Sequence, residues 1–82
     1  MTVDGLARLR PIFERILGAE FPRFGPELSP LTVATWDSMR HTDIILAIEE
    51  SCGFEFTLEE IARLESVGDF LEVMATKALP VA

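Results

Sequence analysis

From Val3 onward the apolar residues Leu6, Leu9, Phe13, Ile16 and Leu17 recur at spacings of three and four, Ile16 and Leu17 standing three and four after Phe13. That spacing lays them along one face of a helix, and Gly18 stands where a C′ glycine ends one. Pro11 lies inside the pattern. It removes one helical hydrogen bond and crowds the preceding turn, so the helix is expected to kink there rather than begin there, because the apolar stripe runs through it. Residues 19–36 break the periodicity. Pro22, Gly25, Pro26 and Pro30 forbid a long helix or a central strand, yet Phe21, Phe24, Leu28, Leu31, Val33 and Trp36 are too apolar for a free linker. The prediction is an ordered loop packed on the core, and such a loop in a small protein often borders the working surface.

Helical periodicity resumes after Asp37. Ile44, Ile45, Ile48 and Cys52 define the apolar face of a second helix from Ser38 to about Cys52, closed by Gly53, with Arg40, His41, Asp43, Ala47 and Glu50 on its other face. Asp37 is its N-cap, which leaves the Ser38 hydroxyl in the first turn free to point outward. Phe54-Glu55-Phe56 alternates like a strand but has no partner strand, so it reads as an extended link with both rings in the core. Thr57-Leu58-Glu59-Glu60 is a capping box opening a short helix that ends near Leu64. Ser66-Val67-Gly68-Asp69 repeats the device with Asp in the third place and opens a last helix through Phe70, Leu71, Met74 and Ala78, stopped by Pro80. The expected fold is all-α: a four-helix bundle with a long first loop and a short third helix.

Length and charge narrow the function. Eighty-two residues allow one domain, 1–82, and no separate catalytic lobe. Seven basic against fourteen acidic side chains, a net charge of −7, disfavour nucleic acid and anionic membranes as partners and favour basic proteins. The acids are concentrated: residues 37–72 hold ten of them against Arg40 and Arg63. With no leader pattern and no apolar run of membrane-spanning length, a cytoplasmic monomer is expected. Cys52 stands alone, so it forms no internal disulfide or zinc cluster and reads as a buried thiol.

Two chemistries can be weighed on these residues. Ser38 and His41 are three apart on one helix, but a hydrolase also needs a group to orient the imidazole, an oxyanion hole and a dry cleft. His41 reads instead as a solvated helix residue, and no catalytic residue is assigned. Glu49-Glu50 and Glu59-Glu60 are adjacent pairs on different helix faces without a ligand loop, so no metal site is assigned either.

The order of elements, with Asp37-Ser38-Met39 opening the second helix, Ala47-Ile48-Glu49-Glu50 within it, Gly53-Phe54-Glu55-Phe56 after it and Ser66-Val67-Gly68-Asp69 opening the last, resembles the acyl carrier proteins and the carrier domains of polyketide and peptide synthases. The resemblance covers nearly the whole chain, and the family's usual leucine after Asp-Ser is here Met39, a volume-conserving change. It implies a stand-alone acyl or aminoacyl carrier, not an enzyme. Ser38 would bear a covalent 4′-phosphopantetheine arm whose thiol holds intermediates as thioesters. The implied partners are a phosphopantetheinyl transferase, an acyl- or aminoacyl-activating ligase or acyltransferase, and downstream synthases or transferases. They would read Asp37, Met39, Asp43, Leu46, Glu49 and Glu50. The form Trp36-Asp37-Ser38 looks more like the discrete carriers of specialised pathways than the housekeeping fatty-acid carrier. The competing expectation is an acidic helical interaction module with no prosthetic group. A short or polar cargo outside the bundle is expected, because Arg40 and His41 could supply cations to a carboxylate and because Phe13, Ile44, Ile48, Phe54, Phe56 and Phe70 should crowd the core.

Overall fold

The computed structural model describes residues 2–18, 21 and 23–78. Leu9, Ile12, Phe13 and Leu17 recur at helical spacing and are all buried, which seats α1 (Thr2–Leu17) on the core. Ile12 joins the stripe named from the sequence, while Leu6 and Ile16 are only half-buried at its edges. The helix runs through Pro11, which is exposed; the Ala7 carbonyl it leaves without a helical donor belongs to another exposed residue, where water can serve it. The side chains of Val3, Asp4 and Ala78, together with Pro22 and the stop assigned to Pro80, lie outside the described residues.

Three further helices follow: α2 (Ser38–Cys52), α3 (Leu58–Ala62) and α4 (Val67–Ala78), with no strand among the described residues. The expected four-helix architecture is present, and α1 packs against both α2 and α4. Ile44, Ile45 and Ile48 are buried from α2, and Val67, Phe70 and Val73 from α4. Phe13 links the loop and α4 in the aromatic packing, with ring centroids 5.2 Å from Trp36, 5.4 Å from Phe24 and 5.5 Å from Phe70. Edge-on and tilted pairs of this kind add to plain area burial. No helix among the described residues is long and apolar enough to cross a membrane.

The caps are those the sequence announces. Gly18 and Gly53 take φ of 67° and 77°, left-handed values that favour glycine, and donate to the carbonyls of Glu14 and Glu49. Thr57 and Glu60 form the reciprocal capping box of α3. At the start of α4 the Ser66 hydroxyl accepts from Asp69 N–H, but the Asp69 carboxylate reaches back to Glu65 N–H rather than to that of Ser66. Helix α3 stops at Ala62, and Leu64 beyond it is buried. A Glu60–Lys77 ion pair of 2.9 Å joins α3 to α4.

The long loop is ordered by bonds to helices at both ends. Glu14 Oε2 accepts from Phe21 N–H, and Arg10 donates to the Phe21 carbonyl. Farther on, the carbonyls of Leu28 and Pro26 accept from Val67 and Gly68 N–H, each at 2.9 Å, so the loop satisfies two of the donors that open α4. A Cβ on Gly68 would stand 3.2 Å from the Pro26 oxygen, and this close approach is what a glycine there permits. Val33 and Trp36 are buried and Phe21, Phe24 and Leu28 half-buried, but Leu31 is 96% exposed, against the expectation that it packs inward. Two other burial expectations are corrected. Phe56 enters the core, whereas Phe54 stays half-buried at its edge beneath the Lys77 ammonium, 5.4 Å from the ring centroid. Cys52 is half-buried rather than enclosed, with Arg8 Nη1 3.8 Å from its sulfur.

Candidate functional site

Asp37 opens α2 in an extended conformation, and its Oδ1 accepts the Arg40 N–H at 2.9 Å. Its Oδ2 takes the Arg40 guanidinium at 3.0 Å. The carboxylate is held below its ordinary pKa chiefly by that backbone N–H, with the guanidinium adding to it and desolvation opposing. Because Asp37 caps the helix, Ser38 has no capping duty and its side chain is exposed at the first helical position. Among the described residues, the N–H groups of Ser38 and Met39 have no hydrogen-bond partner. The first turn thus offers a free hydroxyl and two free donors at the positive end of a helix dipole.

A groove of about 740 Å³ runs beside Ser38. Pro30 and Leu31 of the loop, Trp36 at its end, His41 and Thr42 of α2, and Leu64 and Glu65 of the link from α3 to α4 line it. The bonds that pin the loop to α4 therefore also shape the groove.

His41 differs most from its sequence reading. It is half-buried: Nδ1 accepts the Trp36 indole N–H at 2.9 Å, the two rings stack at 5.9 Å, and Phe70 meets the imidazole edge-on at 5.8 Å. Burial lowers its pKa below the ordinary value, with the Leu64 backbone carbonyl acting the other way. It is neither a solvated residue nor a ready cation, and Arg40 is occupied by Asp37, so the expected cationic cradle for a carboxylate cargo is not formed. Nor does the ring meet the hydroxyl: no hydrogen bond joins Ser38 to His41 among the described residues. Leu64 and Glu65 border the site without a local signal in the sequence. Trp36 and His41 did carry one, the spacing of a residue just before an N-cap and the fourth residue of the helix.

On the exposed side of α2, Met39 is 75% and Leu46 56% exposed, with the exposed acids Asp43 and Glu50 nearby on the same helix. Glu49 is set apart from them. It is half-buried, and its Oε2 accepts the Phe56 N–H at 2.8 Å.

No protein-family model matches the sequence, and no curated protein matches it. Solved structures do. One, described as a putative acyl carrier protein from Mycobacterium tuberculosis, superposes with a TM-score of 0.77 at 15% identity, covering 88% of this chain and 96% of its own. At that identity the likeness speaks for the fold alone: the four helices of this chain are arranged as in an acyl carrier protein.

Proposed function

We propose that this chain is a carrier protein whose Ser38 hydroxyl is the attachment point of 4′-phosphopantetheine. The observation that carries the reading is the exposed, cap-relieved serine at the first position of α2, beside an open groove, within a fold of acyl-carrier type. Transfer would come from a separate transferase acting on coenzyme A. Ser38 Oγ bonds to the phosphorus that carries the pantetheine, the hydroxyl gives up its proton, and 3′,5′-adenosine diphosphate leaves.

The residues of this chain fit a phosphodiester. It adds a permanent anion, which the open N–H groups and dipole of the first turn favour by about 0.3–1 kcal/mol at an exposed site. The nearest carboxylate, Asp37, would oppose it, but both of its oxygens are engaged by Arg40, which places a compensating charge on the same turn. The bound arm supplies a thiol for thioester formation, a role Cys52 does not take at the opposite end of α2. Met39 and Leu46 with Asp43 and Glu50 form an apolar and acidic strip suited to the basic docking faces of the transferase, of a loading ligase or acyltransferase, and of downstream synthases. The chain itself performs no chemistry on the cargo in this reading.

Intact-mass measurement after incubation with coenzyme A and a broad-specificity phosphopantetheinyl transferase tests it. One phosphopantetheinyl increment on the wild type and none on Ser38→Ala is expected. An unchanged wild-type mass leaves an interaction module without a prosthetic group; an increment that survives in Ser38→Ala moves the site elsewhere.

A further inference from the structure

Trp36 precedes the N-cap of α2 and His41 is its fourth residue, so their contact spans the turn that carries Ser38. Side chains at these two positions set the angle at which a chain runs into a helix, and the usual pair is hydrophobic. Here the pair is a hydrogen bond of 2.9 Å combined with a stack of rings inclined by 24°. Trp36 itself is anchored in the core against Phe13 and Phe70. The turn is thereby tied to the buried core through one side-chain bond.

That bond is titratable. An indole N–H only donates, so Nδ1 of His41 must be unprotonated and the proton of the neutral ring lies on Nε2. A second proton would go to Nδ1, set one donor against another and place a charge between Trp36 and Phe70. The ionisable groups bordering the same groove are Asp37, at the start of α2, and Glu65, on the link from α3 to α4; both favour the charged ring. Trp36 from the loop and Phe70 from α4 bring no charge. His41 is nonetheless shifted downward, with burial as the largest cause and the Leu64 backbone carbonyl opposing it.

We propose that the Trp36–His41 contact is the positioning device of the modification site: with His41 neutral it holds the first turn of α2, and with it Ser38 Oγ, in the arrangement a transferase accepts, and protonation of His41 releases that turn. The inference rests on Ser38 being the modified residue. Trp36 and His41 act through the turn and not on the reacting phosphorus.

The chain has a single tryptophan and a single histidine, so each can be followed without ambiguity. The test follows the indole N–H of Trp36 and the backbone amides of Ser38 and Met39 by NMR between about pH 5 and 8, the range in which histidine changes charge. Loading kinetics are measured alongside for the wild type, His41→Gln and Trp36→Phe. A glutamine can accept the indole bond and does not titrate; phenylalanine keeps the ring and loses the donor. The Ser38 and Met39 amides should move with the His41 titration in the wild type and stay still in His41→Gln. The ratio of wild-type to His41→Gln kcat/KM, which cancels the transferase's own pH profile, should fall by about tenfold on acidification, the weight of one ordinary hydrogen bond. The loss should sit in KM, because a smaller fraction of the carrier is competent to dock. Trp36→Phe should show a KM raised above that of the wild type where His41 is neutral, the two converging on acidification. Amides that ignore the His41 titration, or a flat ratio, would overturn the proposal while loading itself continues. If nothing loads, the carrier reading falls, and the resonances still decide whether the pair controls the Ser38 turn.

Discussion

The carboxylate of Glu49 accepts the backbone N–H of Phe56 at 2.8 Å, tying α2 to the link that leads into α3. The donor is part-buried, and removing its partner leaves it unsatisfied. Glu49→Ala is therefore expected to destabilise the protein by about 1–3 kcal/mol in denaturant unfolding, and Glu50→Ala by no more than about 0.5 kcal/mol. Equal losses would show that the Glu49 bond contributes nothing beyond an exposed carboxylate.

Ser38 and Asp37 should separate loading from folding. With Asp37 as the cap, Ser38→Ala should unfold within about 0.5 kcal/mol of the wild type while accepting no arm. Asp37→Ala should lower the thermal midpoint more than Ser38→Ala does, because it strips the first turn of both its cap and its ion pair. A midpoint that drops more for Ser38→Ala would reverse these roles.

Reversal of the two free acids of α2, Asp43 and Glu50, to Lys should slow transferase turnover, and more so at low ionic strength than at high. Steering by exposed charges acts on the encounter rate and is screened by salt. A slowing independent of salt would point to lost direct contacts, and unchanged rates would mean that these acids only keep the protein in solution.

Acidification should weaken the fold in two stages. The pKa of His41 is lowered on folding, so below its ordinary value of 6.5 the unfolded chain takes up a proton that the folded one refuses. Stability is then full above that pH and falls until the folded-state pKa is reached. Glu60, Glu14 and Asp37 are also lowered, by hydrogen bonds from the Thr57, Phe21 and Arg40 N–H groups first and by Lys77, Arg10 and Arg40 cations after them. Their contribution, present above the ordinary carboxylate values, is lost at lower pH as each folded-state pKa is passed. Thermal midpoints measured against pH should lose the first stage in His41→Gln and be flattened in the second by Glu60→Gln; a single unaltered transition in either variant would contradict the assignment.

The groove and not the core should receive a cargo that leaves solvent. Phe13, Ile44, Ile48 and Phe70 are packed with almost no exposure, and inserting a chain among them would cost about 1–3 kcal/mol. Octanoyl loading should shift the methyl resonances of Leu31 and Leu64 and leave those of Ile44 and Ile48 in place. Widespread shifts at the two isoleucines with a raised thermal midpoint would mean that the bundle opens to admit the chain.

Much of this was legible along the chain, because it depends on neighbours three to five residues apart. Helical spacing marked the buried faces of α1 and α2, Asp37 and the Thr57–Glu60 box marked helix starts, and Gly18 and Gly53 marked helix ends. Ser38 stood out for the same reason, as the residue just inside a capped start. What the tertiary structure alone decided is which distant groups meet. Periodicity cannot say that the Pro26 and Leu28 carbonyls serve the first donors of α4, that Glu49 serves Phe56, or that Leu31 turns to solvent while Leu64 shapes the groove. Nor could it assign His41, whose side chain looks solvated on a helical wheel. Only the loop bringing Trp36 inward and α4 bringing Phe70 alongside desolvate that ring, and desolvation together with a donor on Nδ1 favours its neutral form.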